Sequence, residues 1–401
     1  MMSLPTGRQF KLVRSLAVLA AAIGVAGLVA GAVFDMQVFY QSYLIAFMYW
    51  LGLPLGACGL MMIHRMSGGE WGRAIAGVCE ASARTMPLFI LLFVPLIFAT
   101  TVIYPWTQLD SAGHMPHELE SKAPYLNLPF FYIRAAIYFA VWTIGALVLA
   151  RGGERQRATG DTALDNRLLR LAPPGLIVYV FTMTFAAVDW VMSLEPQWFS
   201  TIYGLVFIVG QGLAALALSI AVLTGMMTFV TPSSPREAAT RIPRTVLHDL
   251  SKLLFASISL TAYIAFSQFL IIWYANLPEE TRWYWPRTHT NWNNVAIVLI
   301  AGYFAVPFVV LLSRQSKRAP RIMFVMSLFL LVMHFVEILW LIAPAFPDRP
   351  MWAGATDVAA WLAIGGVWVL LFLHRFARSK PQPVTDPLHA PTGNVRAAQH
   401  A

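Results

Sequence analysis

Three ionisable side chains stand inside long apolar stretches: Arg134, Asp189 and Glu337. An ionisable group at mid-bilayer costs about 2.5–3.5 kcal/mol on insertion scales, so each needs a partner or a purpose. Counted inward at about 1.5 Å per residue, Arg134 and Glu337 lie roughly 9 Å and Asp189 roughly 7–8 Å from the same membrane boundary. Asp357 sits shallower, at a depth that reaches the headgroups. Two chemistries suit this set. Arg134 and Asp189, on adjacent helices, can form a structural ion pair. The carboxylates can instead handle protons or face a quinone. His334 stands three residues before Glu337, on the same helical face, and an unperturbed imidazole titrates near neutral pH.

Polar stripes extend the set. Tyr179, Thr182, Asp189 and Ser193 share one face at about 100° per residue, as do Ser327, His334 and Glu337. Asp249, Lys252, Ser259, Tyr263 and Ser267 fall within roughly 80° of arc. Packing alone explains small hydroxylated residues between helices. A water-linked path toward the carboxylates is the functional alternative, with Asp249, Lys252 and Tyr263 as its candidate positions. His64 and His374 sit at the interface, where solvation is the default.

These groups need elements to position them, and composition says which. Of 401 residues, 58% are hydrophobic and 12% charged, against about 25% charged in a soluble domain. Ten apolar stretches are long enough to cross a bilayer as helices, at 12–34, 42–63, 85–106, 128–150, 172–194, 199–230, 248–275, 294–313, 320–343 and 353–374. The fold class is an all-α integral membrane protein. Residues 1–379 form one polytopic domain, and the polar, Pro-containing 380–401 reads as a disordered tail. The segment from Arg65 through Ser67-Gly68-Gly69-Glu70 to Arg84 reads as a turn and an interfacial helix. Ala30-Gly31-Ala32 resembles a signal cleavage site, but the apolar run before it is long for a signal peptide, and it reads as a span.

The net charge of +9 does not indicate nucleic acid, because the basic residues cluster between apolar runs. Of 28 Lys and Arg, 23 fall on the N-terminal side of the bilayer, which places both termini in the cytoplasm. The opposite side carries Lys122, Arg282, Arg287 and Arg349 against eight acids, and nine of the 14 tryptophans, including Trp106, Trp198, Trp283 and Trp285. An aromatic belt accounts for some of these; a docking surface would account for the excess, and 276–285 mixes acids, Arg and aromatics as such surfaces do. No Walker A or GxGxxG unit is present. Cys58 and Cys79 cannot make a CxxC pair, and His64 and His334 do not match in depth as haem ligands should. The expectation is a chain that binds no redox metal or other cofactor itself.

Four strings carry a family resemblance: FAAVDWVMSLEPQWFSTIYGLVFIVGQGL at 185–213, LHDLSKLLFASISLTAYIAFSQFLIIWYANLPEE at 247–280, YLNLPFFYIRAAIYFAVW at 125–142 and SGGEWGRAI at 67–75. They resemble the ActF-type membrane subunits of alternative complex III, a bacterial quinol:electron-acceptor oxidoreductase. The resemblance implies the polysulfide-reductase (NrfD-like) anchor fold: two four-helix bundles, spans 2–5 and 6–9, flanked by spans 1 and 10. It implies a place in the bacterial inner membrane beside a quinol-oxidising paralogue, under extracytoplasmic iron–sulfur and c-type haem subunits, with a role in assembly and proton translocation. A secondary transporter, with a midplane site between repeats, and a purely structural scaffold remain competing classes. Pro54 and Pro95 interrupt spans 2 and 3, but no convergent charged site surrounds them.

Overall fold

The computed structural model describes residues 8–108, 117–229, 242–350 and 352–378. The tail at 380–401 lies outside the described residues, as do Asp110 and the side chain of Glu118. Among the described residues the chain is helical, without strands. Among the described residues, ten helical stretches are long and apolar enough to cross a membrane, the third of them, Glu70–Leu92, made of two successive helices. We number the helices α1 (Arg8–Phe34), α2 (Met36–Ser67), α3 (Glu70–Ala83), α4 (Met86–Leu92), α5 (Val94–Ile103), α6 (Leu128–Thr159), α7 (Thr162–Trp190), α8 (Tyr203–Phe229), α9 (Arg244–Ala275), α10 (Trp292–Leu312), α11 (Pro320–Ile342) and α12 (Ala353–Phe376).

Local signals set many of the ends. Asp35 caps α2 by accepting from the Gln37 and Val38 amides, satisfying donors that the first helical turn leaves open. Asn127 caps α6 in the same way through the Phe130 amide. Between α6 and α7 only two residues turn the chain: Gly160, at φ 66°, and Asp161, which caps α7 through the Ala163 and Leu164 amides. A left-handed backbone favours Gly. This tight turn starts α6 and α7 at one level, so Arg134 and Asp189, each about 25–28 residues away, return to a common depth.

The helix α2 runs through the middle and is buried along most of its length. Around it pack α3–α5, α6 and α7, while α8 joins α2 and α7 to a second group of α9, α10 and α11. The first helix packs along α12. Small residues let these two approach: a side chain at Gly24 would strike the Ala363 backbone, and a Cβ at Gly27 would come within 2.7 Å of the Ala359 methyl. Close backbone contact through Gly and Ala is how helices associate where lipid removes any hydrophobic drive.

The third crossing begins earlier than hydropathy places it. The segment expected to lie at the interface is α3, and it packs into the bundle against α2, α6, α8 and α12. Gly68 and Gly69, both at positive φ, reverse the chain directly. Gly72 then passes so close to the His64 ring that any side chain would collide with it. The charge it buries is neutralised internally: Glu80, 4% exposed, pairs with Arg157. Two breaks follow, at Arg84–Thr85 and at Phe93. Pro87 and Pro95 stand in the first turns of α4 and α5, and proline cannot bond back to the preceding turn.

Candidate functional site: two polar clusters inside the bundle

The first cluster joins α6 to α7. Arg134 donates from Nε to Asp189 Oδ2 and from Nη2 to Oδ1, both at 2.8 Å. Its Nη1 donates to the Tyr125 carbonyl at 3.0 Å. The Tyr138 hydroxyl donates to Asp189 Oδ2 at 2.7 Å. Asp189 is wholly buried and Arg134 nearly so. The guanidinium also lies over the Tyr125 and Phe130 rings, at 3.9 and 4.3 Å. Burial, then the Asp189 charge, raises the Tyr125 hydroxyl above its ordinary range. The expected ion pair is therefore present and bidentate, the strong geometry for Arg and carboxylate. Three hydrogen bonds fix the Asp189 carboxylate in place.

The second cluster has no cation in it. On α11, Ser327, His334 and Glu337 all face inward and are buried, as their spacing implies. His334 Nδ1 lies 3.0 Å from Glu337 Oε2 and 3.2 Å from the Tyr303 hydroxyl. That hydroxyl also faces the Glu337 carboxyl. Among the described residues, Glu337 makes no ion pair with Lys or Arg. Among the described residues His334 Nε2 is buried without a hydrogen-bond partner. Tyr49, from α2, sets its ring 5.5 Å from the imidazole. Gly210 on α8 leaves the room: a Cβ there would sit 3.0 Å from His334 Cε1 and 3.3 Å from Glu337 Oε2.

Tyr303 escapes the sequence reading. It lies in a π-helical turn, Ile300–Ala305, inside α10. Pro307 follows four residues later and offers no amide to the Tyr303 carbonyl, so the turn widens. That proline was the available signal.

Four placements differ from expectation. The stripe on α9 points away from both clusters: Tyr263 is 67% exposed, and Asp249 pairs with its neighbour Lys252 at 3.1 Å on the surface. The buried face of α9 is instead Leu247, Leu250, Leu254, Ile258 and Gln268. The stripe's polar groups find partners on their own helix, Ser259 on the Phe255 carbonyl and Asp249 on Lys252, so the stripe does not mark the inside. Asp357 does not reach for headgroups; it is 2% exposed and pairs with Arg349, whose Nη2 also donates to Ser42 at 2.9 Å. Three of the tryptophans assigned to a belt or docking surface are buried: Trp106, Trp198 and Trp283, of which the last two stack at 4.9 Å. Of that group Trp285 is exposed. Arg287, counted as a loop charge, is fully buried between Glu195, at 3.0 Å, and the Trp283 ring, at 3.6 Å.

The α7 stripe does face inward. Tyr179 donates to Gln211 Oε1 at 2.7 Å, Trp142 donates to Thr182 at 2.9 Å, and Ser193 donates to the Asp189 carbonyl at 2.5 Å. At the basic end of the bundle, His64 Nε2 lies 3.0 Å from the Gly69 carbonyl, and His374 is exposed. Cys58 and Cys79 are buried and free. Among the described residues no group of three His, Cys, Asp or Glu could hold a metal ion. No family model matches the chain, and no curated protein matches it significantly.

Proposed function

We propose that this chain is an integral membrane subunit of a bacterial quinol:electron-acceptor oxidoreductase of the alternative complex III type. In this reading it lies in the inner membrane with both termini cytoplasmic. It sits beside a quinol-oxidising paralogue and beneath iron–sulfur and c-type haem subunits. It contributes assembly contacts and a proton-exchanging group rather than a redox centre. The observation that carries the proton role is the buried Glu337–His334–Tyr303 triad without a cation.

Two groups that can each hold a proton, the Glu337 carboxyl and the Tyr303 phenol, meet there at one imidazole nitrogen. His334 Nδ1 can donate to the carboxylate or accept from the phenol, but not both at once. A proton arriving at the imidazole therefore changes which hydrogen bonds form, and Glu337 can release or accept it without breaking an ion pair. Asp189, locked to Arg134, has no such freedom. The family-like strings, the ten spans and the concentration of Lys and Arg on one side support the wider assignment.

Purification of the chain in mild detergent tests the assembly. Co-purification of haem-bearing and iron–sulfur subunits is expected, and recovery of the chain alone with transport activity would overturn the assignment. In reconstituted vesicles, Glu337→Gln is expected to leave the complex assembled while lowering protons moved per electron. Unchanged stoichiometry would reduce the triad to packing.

A further inference from the structure

At the basic end of the bundle a cleft of about 230 Å³ opens between α4, α6 and α12, lined by Arg84, Pro87, Leu147, Arg151, Glu154 and Arg375. That is far more than the ~10–15 Å³ that one water requires. Three arginines and one carboxylate line it, and only one of the arginines is paired with that carboxylate. Glu154 pairs with Arg84, which also donates to the Ala150 carbonyl at 3.3 Å. Among the described residues Arg151 and Arg375 make no ion pair. Among the described residues the Nε atoms of Arg84 and Arg375 are buried without a hydrogen-bond partner. Three arginines against one carboxylate leave the cleft lining net positive, a charge that an anion would neutralise, and the planar Arg fork suits the oxygens of a phosphate.

The surroundings indicate how that phosphate is carried. One helical turn along α4 from Pro87, Leu91 is 69% exposed, and one turn back along α6 from Leu147, Ile144 is 63% exposed. Val148 is exposed beside them. The charged cleft thus continues into apolar surface on the same helix faces. A free anion has no use for that surface, and an acyl chain does. The surrounding end of the bundle also carries Arg65 and Arg157, as expected of a segment at the level of charged headgroups.

We infer that the Arg84–Arg151–Arg375 cleft is a binding site for the phosphodiester headgroup of an anionic phospholipid, with an acyl chain lying along Leu91 and Ile144. This site is independent of the quinol reading and stands whether or not that reading survives.

The test is native mass spectrometry of the purified, delipidated full chain offered phosphatidylglycerol or phosphatidylcholine. The parent is expected to retain phosphatidylglycerol preferentially, since choline would bring a cation to a cationic cleft. Arg151→Gln with Arg375→Gln is expected to weaken retention roughly 10- to 30-fold, the effect of losing two headgroup-level cations. Glu154→Gln removes the competing carboxylate and is expected to tighten retention. If the double variant fails to fold, Glu154→Gln decides alone: tighter retention supports the site and unchanged retention overturns it. Equal retention by parent and double variant, or equal retention of the two lipids, also overturns it. Displacement of phosphatidylglycerol by excess inorganic phosphate alone would assign the cleft to free phosphate and overturn the lipid assignment.

Discussion

Two carboxylates buried in one helix bundle have opposite surroundings. Asp189 meets a guanidinium through two 2.8 Å bonds and a phenol through a third. Glu337 meets an imidazole at 3.0 Å and the phenol of Tyr303, with no Lys or Arg ion-paired to it among the described residues. The sequence places both at similar depth and gives both a neighbour of complementary type. The difference is whether that neighbour can lose its charge. Arginine cannot, so the Arg134–Asp189 pair holds α6 to α7 as a permanent dipole. Histidine can, so the His334–Glu337 pair can change its net charge within the bundle. Depth and the presence of a carboxylate therefore do not distinguish the two clusters; the identity of the countercharge does.

Breaking the clamp should have the largest effect. Asp189→Asn leaves Arg134 buried and uncompensated, at a cost of about 3–5 kcal/mol, and should appear as lost folded protein and a lower melting temperature in detergent. Exchanging the charges, Arg134→Asp with Asp189→Arg, is expected to recover part of it. No recovery would show that Tyr138 and the Tyr125 carbonyl, rather than charge balance, dominate the site.

Crowding the second cluster comes next. Gly210→Ala would press a methyl against His334 and Glu337. Overpacking of this kind costs about 1–3 kcal/mol, and it should separate imidazole from carboxylate. Infrared difference spectra of the carboxyl band, parent against variant, would detect the separation; identical spectra would mean that α8 yields instead.

Glu337→Gln keeps shape and loses charge. Because no buried cation is left unpaired, its effect on stability is expected to stay near that of one hydrogen bond, about 0.5–1.5 kcal/mol. A loss as large as that of Asp189→Asn would erase the distinction between the clusters.

Tyr263→Phe is the smallest expected change. The side chain is mostly exposed on α9, so melting should move by no more than about 0.5 kcal/mol, and proton stoichiometry should not move at all. A changed stoichiometry would restore the α9 face to the proton path.

Much of the architecture is legible in the chain because a bilayer imposes it locally. Each crossing must satisfy its own backbone hydrogen bonds, so length and apolarity mark the crossings, with the third set too late in the chain. Asp35, Asn127 and the Gly160-Asp161 turn mark their ends by chemistry that needs only near neighbours. The Arg134–Asp189 pair is legible for the same reason: a two-residue turn makes α6 and α7 adjacent and sets the register between them.

What tertiary structure alone decides is which face of each helix looks inward and what meets there from far along the chain. Polar residues of α9 point outward because they are satisfied within their own helix, as Ser259 is by the Phe255 carbonyl and Asp249 by Lys252, and α3 enters the bundle despite its charges because Arg157 neutralises Glu80. Tyr303 reaches His334 from another helix through a turn widened by Pro307, and Arg349 finds Asp357 and Ser42 from a loop. Hydropathy measures transfer from water and is blind to such pairings, because a buried charge is tolerated according to its partner and not its position in the sequence.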